Sequence, residues 1–456
     1  MECYRVRTRN TDKNIKKKRL RTNFLYFRVR TRNIIIINFY NMKLEKYSFG
    51  IGDRFGQQGF YQLKAVMKAK EAGIDIIPVW NKSNREHNIV HTEPGDVRIE
   101  ADQAVKKAGW QGQYLVDADH INLGNVEKYI SSSDFFTLDV ADYIGKMASD
   151  DDIKIFIENN RKYIGQLFIP GIQKPFNVTD SLMKKIAENF LYAAKEASKI
   201  YHFILEQKGA ENMIAEVSMD EVNSPQTPVE MFFILSALAH FKVPAQTIAP
   251  KFTGRFNKGV DYAGDIRQFA QEFEEDLLVI DFAIKEFGLP SNLKLSVHSG
   301  SDKFSIYPVM GELIKKHNKG IHVKTAGTTW LEEVIGLALA GGEALELARS
   351  IYAKAFDRRD ELCGPYATVI DIKYDELPSP EAVRAWTGDK FANSLRHIPG
   401  QKDYDPNFRQ LIHVGYKVAA EYGNVYINHI NANADLVGQQ VFENIYNRHI
   451  SRLFGL

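Results

Sequence analysis

From Tyr47 onward the chain repeats one unit: a short apolar run, a polar or glycine-bearing turn, then a longer stretch with helical spacing. Parallel strands cannot be joined by a tight turn, so a chain that alternates strands with helices is directed toward a parallel sheet with helical crossovers. The predicted strands cover residues 47–51, 74–79, 113–116, 135–138, 213–218, 246–250, 294–298 and 320–323. Eight strands with intervening helices predict an α/β fold, a (β/α)8 TIM-type barrel, in which chemistry collects at the C-terminal ends of the strands.

Two segments fall outside the repeat. After the fourth strand, Thr179-Asp180 reads as a helix N-cap followed by Leu182, Met183, Ile186, Phe190, Ala193, Ala197 and Ile200 at helical spacing. The fourth barrel helix therefore starts late, and residues about 148–178 are an insertion. Gly171, Pro170 and Pro175 give it the character of an irregular lid or an oligomer contact. Beyond the eighth strand, residues 346–456 read as a helical C-terminal extension, leaving 42–345 for the barrel.

The first 41 residues differ from the rest. They hold twelve Lys/Arg against two acids, a charge of +10, so the +2 of the whole chain leaves −8 for the remainder. The body is thus mildly acidic and does not have the profile of a nucleic-acid binder. Within the leader, Arg5-Val-Arg-Thr-Arg-Asn10 recurs as Arg28-Val-Arg-Thr-Arg-Asn33 with no helical or strand periodicity around it. A basic nucleic-acid arm or a transit segment would use such a stretch. The favoured expectation is an upstream extension of the reading frame, with Met42 as the working start. Two cysteines, Cys3 and Cys363, supply neither a disulfide framework nor a thiolate zinc site and suit a reducing compartment. The longest apolar run near the N-terminus, Ile34 to Ile37, is far short of a membrane span or secretory signal. A cytoplasmic enzyme with no membrane or nucleic-acid partner is expected, homo-oligomeric if the insertion serves as a contact.

The residues at the strand ends carry the functional expectations. His120 follows the third strand, His298 ends the seventh and His322 lies in the eighth. Three imidazoles delivered to one barrel mouth would hold one divalent cation, of zinc, manganese, iron or nickel type. The alternative for each histidine is a hydrogen bond to loop backbone. Glu216 is embedded in the apolar run Met213-Ile-Ala-Glu-Val-Ser218, where a carboxylate must be paired, metal-bound or protonated. It serves as an acid/base group or as a fourth metal ligand. Asp119 adjoins His120, and neighbours on a regular strand face opposite ways, so both reach one site only if the chain has left the strand there. Asp117 shares a face with Asp119.

Fixed charges in glycine turns extend the site. Gly52-Asp53-Arg54-Phe-Gly56 and Ser299-Gly-Ser-Asp302-Lys303 place Asp53, Arg54, Asp302 and Lys303 at the mouth, joined by Lys251 and Lys324. Arg54 could clamp a carboxylate in bidentate fashion, and the lysines could hold anionic or hydroxyl groups. Together they favour a small, anionic, oxygen-rich substrate. No phosphate-cradling glycine motif follows a strand, so nucleotide cofactors are not indicated.

Seven motifs in order resemble the bacterial tagaturonate epimerase family. They are Gly52-Asp-Arg-Phe-Gly, Asp117-Ala-Asp-His120, Ala215-Glu-Val-Ser-Met-Asp220, Lys258-Gly-Val-Asp-Tyr-Ala-Gly-Asp265, Ser296-Val-His-Ser-Gly-Ser-Asp-Lys-Phe-Ser-Ile-Tyr-Pro308, His322-Val-Lys-Thr-Ala-Gly327 and Arg409-Gln-Leu-Ile-His413. The resemblance implies a metal-dependent interconversion of D-tagaturonate and D-fructuronate in hexuronate breakdown. It implies Asp119 as proton acceptor, Glu216 as proton donor and His120 as metal ligand, a role extended to His298 and His322. His413 joins Arg54, Lys251 and the other charged turn residues as a substrate-binding candidate. A class II aldolase or a ketose isomerase on the same barrel, acting on a related neutral ketose, is the neighbouring alternative. A nucleic-acid-binding protein that uses the leader is the alternative of another class.

Overall fold

A computed structural model describes residues 42–220, 222, 224–299, 302–325, 327–398 and 400–456. The basic leader lies outside the described residues. Eight parallel strands close into a barrel: β1 (Tyr47–Gly52), β2 (Ile77–Ser83), β3 (Leu115–Ile121), β4 (Phe135–Asp139), β7 (Ile214–Ser218), β8 (Thr247–Ala249), β9 (Lys294–His298) and β10 (Ile321–Lys324). Each pairs with its sequence neighbour in this set, and β10 pairs with β1 to complete the ring. All eight expected strands are present. β2 and β3 run further toward the mouth than expected, to Ser83 and Ile121, because their polar tops continue the ladder.

The crossovers are mostly helical, with a single 3₁₀ turn (Val126–Tyr129) joining β3 to β4. After β4 the insertion is regular rather than irregular. It contains a helix (Asp150–Asn160) and an antiparallel hairpin of β5 (Gly165–Leu167) and β6 (Phe176–Val178). The helix that follows, Asp180–Lys208, begins where Thr179 accepts a hydrogen bond from the Leu182 N–H at 3.1 Å. It buries Met183, Ile186, Phe190, Ala193, Ala197 and Ile200 against the barrel.

Strand alternation sorts the interior. Leu44, Ile77, Val79, Leu115, Phe135 and Ile214 form an apolar plug at the N-terminal end. Above it the inward positions turn polar: Ser48, Asp117, Thr137, Glu216, Thr247, Ser296, His322 and Lys324 are all buried. Gly50 pairs with Lys324 across β1 and β10. A Cβ at Gly50 would fall 2.8 Å from Lys324 Cγ, so glycine is what lets the lysine cross the barrel there.

The eighth barrel helix, Thr328–Ala340, is apolar nearly all round and buried nearly throughout. The C-terminal extension covers its outer face in a second core that includes Trp330, Tyr352, Phe408, Tyr416 and Tyr426. Its acids are paired inside that packing. Arg448 and Asn444 reach Glu332 at 2.7 and 3.0 Å, and Tyr426 donates to Glu333 at 2.7 Å. Arg448 and His449 project from a π-helical turn, Asn444–Ile450. No helix among the described residues is long and apolar enough to cross a membrane.

Candidate active site

Lys324 is the hub. Its buried ammonium donates to Asp119 Oδ1 at 2.9 Å and to the Thr137 hydroxyl, and forms ion pairs with Asp117 Oδ2 at 2.7 Å and Glu216 Oε1 at 2.9 Å. Burial alone would strip the proton from this lysine, but three carboxylates raise its pKa well above the usual value. In return the ammonium holds Asp119 and Glu216 ionised: burial disfavours their charged forms, and Lys324 with the adjoining histidines more than offsets it. Asp117 has no imidazole partner, and burial pushes it up to about 7 despite Lys324. Thr137 Oγ1 lies 2.9 and 3.0 Å from its two oxygens.

Around this hub stand two imidazoles. His298 ends β9 and pairs in register with Lys324. Its Nε2 lies 2.8 Å from Glu216 Oε1 and its Nδ1 3.1 Å from Asp220 Oδ1. Burial lowers the His298 pKa, yet Asp220 and Glu216 bring it up to about 9. His120 Nδ1 lies 2.9 Å from Asp119 Oδ1, and its Nε2 is buried with no hydrogen bond, 3.7 Å from Asp220. Asp119 and His120 both serve the site because β3 is irregular there. Pairing with β4 slips between Ala118 and Ile121, and His120 adopts φ 54. A local break of this kind turns two consecutive side chains to one side and is characteristic of functional sites.

His120, Asp220 and His298 place their ligand atoms within 4.8 Å of one another. The donor set of two imidazoles and one carboxylate suits a divalent transition metal. Charge agrees: the buried carboxylates of Asp117, Asp119 and Glu216 surround the ammonium of Lys324, and the half-buried Asp220 adds a fourth beside the two imidazoles. Without a metal the deficit is met by protons on the imidazoles, since Asp119 and Asp220 raise the His120 pKa well above normal against the effect of burial. The unpartnered Nε2 of His120 completes the fit.

The structure rearranges several expected roles. His322 lies deeper in the barrel, away from the other two histidines. Its Nδ1 meets the Ser48 hydroxyl at 2.8 Å, Phe135 packs on its ring at 5.2 Å, and burial drives its pKa down to about 3. Two residues of strand separate it from the mouth position held by Lys324, and Asp220 takes the place expected for it. Asp53 accepts from four backbone N–H groups, of Phe55, Gly56, Gln57 and Gln58, at 2.6 to 2.9 Å. Those bonds hold the turn and leave its carboxylate no capacity for substrate. Asp302 is fully buried against Arg409, beside His397 and His449 at 3.5 and 3.6 Å. It pins the loop after β9 to the C-terminal extension. Lys303 Nζ donates to the carbonyls of Asn257 and Val260, both at 2.8 Å, and burial pulls its pKa down to about 7. Lys251 follows β8, half-buried, and the carboxylate network is built without it. Arg54 is held by Glu86 at 2.9 Å and by the His413 carbonyl at 3.1 Å, stacked 3.9 Å over Tyr416.

Asp220 was legible in principle, since Glu216, Ser218 and Asp220 alternate on one face, and the Ser218 hydroxyl donates to Asp220 at 2.5 Å. Glu86 carried no comparable signal, and Arg409 stood in a motif without any sign of its pairing with Asp302, which lies far away in sequence.

A closed parallel barrel with carboxylates, imidazoles and an ammonium gathered at its C-terminal mouth defines an enzyme of the (β/α)8-barrel class. The chain belongs to the tagaturonate epimerase family, whose model matches residues 4–452. A tagaturonate/fructuronate epimerase from Thermotoga maritima is 28% identical over 385 residues, 81% of this chain and 72% of that protein. The native crystal structure of fructuronate-tagaturonate epimerase from Cohnella laeviribosi superposes with a TM-score of 0.73 at 23% identity, covering 90% of this chain and 81% of that one. Its complex with one glycerol gives 0.75 at 22% identity over the same shares. These structural likenesses bear on the fold.

Proposed function

We propose that the protein interconverts D-tagaturonate and D-fructuronate, with a divalent cation held by His120, His298 and Asp220. The observation that carries this is the convergence of Asp119 and Glu216 on the one ammonium of Lys324, in a chain of this family. The two acids differ at the carbon β to the ketone, whose proton the carbonyl does not acidify, so one-base enolisation cannot invert it. Inversion by retro-aldol cleavage needs a proton removed from the hydroxyl on that carbon. The bond to the α-carbon then breaks and its electron pair moves onto the ketone oxygen. The aldehyde turns, the bond re-forms on its opposite face, and the proton is returned.

The side chains present fit those needs. Asp119, kept ionised by Lys324 and His120, accepts the hydroxyl proton. Glu216, whose Oε1 lies 2.8 Å from His298 Nε2, manages its return on the other side. The Lys324 ammonium, within reach of both carboxylates, opposes the negative charge that develops between them. A divalent cation bound at the His120, His298 and Asp220 donors supplies Lewis acidity toward the substrate oxygens. The free, buried Cys363 suits a reducing compartment, and the cytoplasm is the compartment proposed.

Product analysis by NMR with fructuronate, tagaturonate and neutral ketoses tests the assignment. Conversion of the uronates in strong preference to neutral ketoses, abolished by a chelator, is expected; aldol cleavage products or turnover of neutral ketoses alone would refute it. Glu216→Gln is expected to keep its metal while losing activity, and loss of metal would make Glu216 a ligand instead. Exchange of an added labelled aldehyde into product would exclude internal hydride transfer as the sole route.

A further inference from the structure

We propose that the start of the helix Thr328–Ala340, closed over by Arg54 and His413, is the subsite for the substrate's carboxylate. The C-terminal extension, which contributes His413, then sets the preference for an anionic sugar. This rests on the substrate being a ketouronate.

The helix begins four residues after Lys324, with its cap Gly327 three residues after, so it opens at the barrel mouth. At most about 11 Å of backbone separates Gly327 from the hub lysine, a span that a six-carbon acid with its hydrogen bonds covers. Gly327 caps the helix with φ 86 and offers no side chain to its first N–H groups. The Thr328 N–H already bonds the Thr325 carbonyl at 3.3 Å, so the remaining first-turn donors and the positive end of the dipole of this 13-residue helix make the anion-binding arrangement. In (β/α)8 barrels anions are commonly held at this end of the sheet, beside the loops of the last two strands.

The second observation is independent of the helix. His413 is 1% exposed, and neither of its ring nitrogens has a hydrogen-bond partner. A Cβ on Gly327 would lie 2.5 Å from His413 Nε2 and 2.9 Å from Arg54 Nη2, so imidazole and guanidinium both point onto the helix start. Thr328 Oγ1, on the first turn, is likewise buried and unpartnered. Arg54 is locked by Glu86, by the His413 carbonyl and by Tyr416, so its orientation is set before any ligand arrives. Burial, then Arg54, Lys258, Arg409 and Lys303, keep the imidazole neutral, and the same charges provide a positive field. A carboxylate placed there gains N–H donors and opposite charge together, which offsets its desolvation.

The test uses His413→Phe, which preserves a ring in the packing, and Arg54→Lys, each confirmed as folded by circular dichroism. For both, kcat/KM for fructuronate is expected to fall about 10- to 100-fold, the range for losing a hydrogen bond to a charged group, chiefly through KM. The preference for fructuronate over a neutral ketose of the same skeleton falls with it. His413→Gln, which restores an N–H donor, recovers part of the loss. Proportional loss on both substrates, or an unchanged KM in both variants, would overturn the assignment. A binding arm is read without turnover: a six-carbon aldonate should raise the melting temperature of the wild type, the matching hexitol should not, and His413→Phe should abolish the effect. No protection by the aldonate, or stronger protection by inorganic phosphate, would refute a carboxylate subsite. If the wild type converts no ketouronate yet the aldonate protects it, the epimerase reading fails while the subsite stands.

Discussion

Replacing Lys324 with methionine keeps the length of the side chain and removes the charge that three buried carboxylates share. In the wild type, Asp119 and Glu216 are held well below the ordinary carboxylate range, so the stability they contribute is present above about pH 4 and lost only in strong acid. In Lys324→Met the same groups lose that compensation, and burial raises their pKa values. The folded variant then binds protons that the unfolded chain has released, and its stability falls as pH rises. Neutralising a carboxylate of ordinary pKa costs about 1.4 kcal/mol per pH unit above that pKa, or about 2 kcal/mol at pH 5.5 and about 5 kcal/mol at pH 8. The upper figure meets the 3–5 kcal/mol typical of removing one partner from a buried ion pair. The deficit of the variant should therefore widen by about 3 kcal/mol between pH 5.5 and pH 8. Urea unfolding followed by far-UV circular dichroism at the two pH values measures it. An equal deficit at both, or a larger one at pH 5.5, would refute the network as drawn.

Four further outcomes follow from the same geometry. Asp117, pushed up to about 7, loses stability as pH rises from 4 toward 7, so Asp117→Asn should gain on the wild type between pH 5 and pH 8; urea midpoints that shift in parallel would contradict this. Ser48→Ala removes the partner of His322 Nδ1 and should cost about 1–3 kcal/mol in thermal unfolding while metal content, read by plasma emission, stays level; a fall in metal would return His322 to the ligand set. Asp220→Asn should weaken metal binding by at least tenfold in a competition titration, and unchanged affinity would remove Asp220 from the ligands. Gly336→Ala sets a Cβ 2.7 Å from Val437 Cα where the eighth barrel helix meets the extension, and should cost about 1–3 kcal/mol by differential scanning calorimetry; no change in melting would mean that contact is loose.

The barrel was legible because strands buried on both faces of a parallel sheet read as apolar runs, and the crossovers between them carry helical spacing. Boundaries slipped where polar residues stay in the ladder, as at Asn81-Lys82-Ser83, because polar composition reads as an exposed turn although Asn81 and Lys82 are paired and buried there. The short strands of the insertion hairpin, three residues each, offer too little alternation to read. Among site residues, Asp119, His120 and His298 were read from their position at strand ends, and Glu216 from the cost of a carboxylate inside an apolar strand. His322 shows the limit of that logic. Parity along a strand tells which face a side chain takes, but depth along the barrel axis depends on register with neighbours. Ser48, opposite His322, is a partner only the fold supplies. Asp302 and Lys303 were misread for a related reason: a charged pair in a glycine turn looks open in sequence, but Arg409 of the C-terminal extension, about a hundred residues downstream, encloses Asp302, and the carbonyls of Asn257 and Val260 after β8 hold Lys303.

The slip in pairing between Ala118 and Ile121 has a bearing on how the protein tolerates changes of length. The extra residue there is what turns His120 toward His298 and Asp220, so the site depends on a count of residues as well as on their identity. Deleting one residue from Ala118 to Ile121 would restore an unbroken ladder and yield a more regular barrel. It would also swing the imidazole into the helical layer and empty one corner of the ligand set. Substitutions around β3 can be compensated by neighbours, whereas a single in-frame codon loss cannot. That short stretch should therefore be the least permissive in the barrel to insertion and deletion, even where its side chains accept exchange.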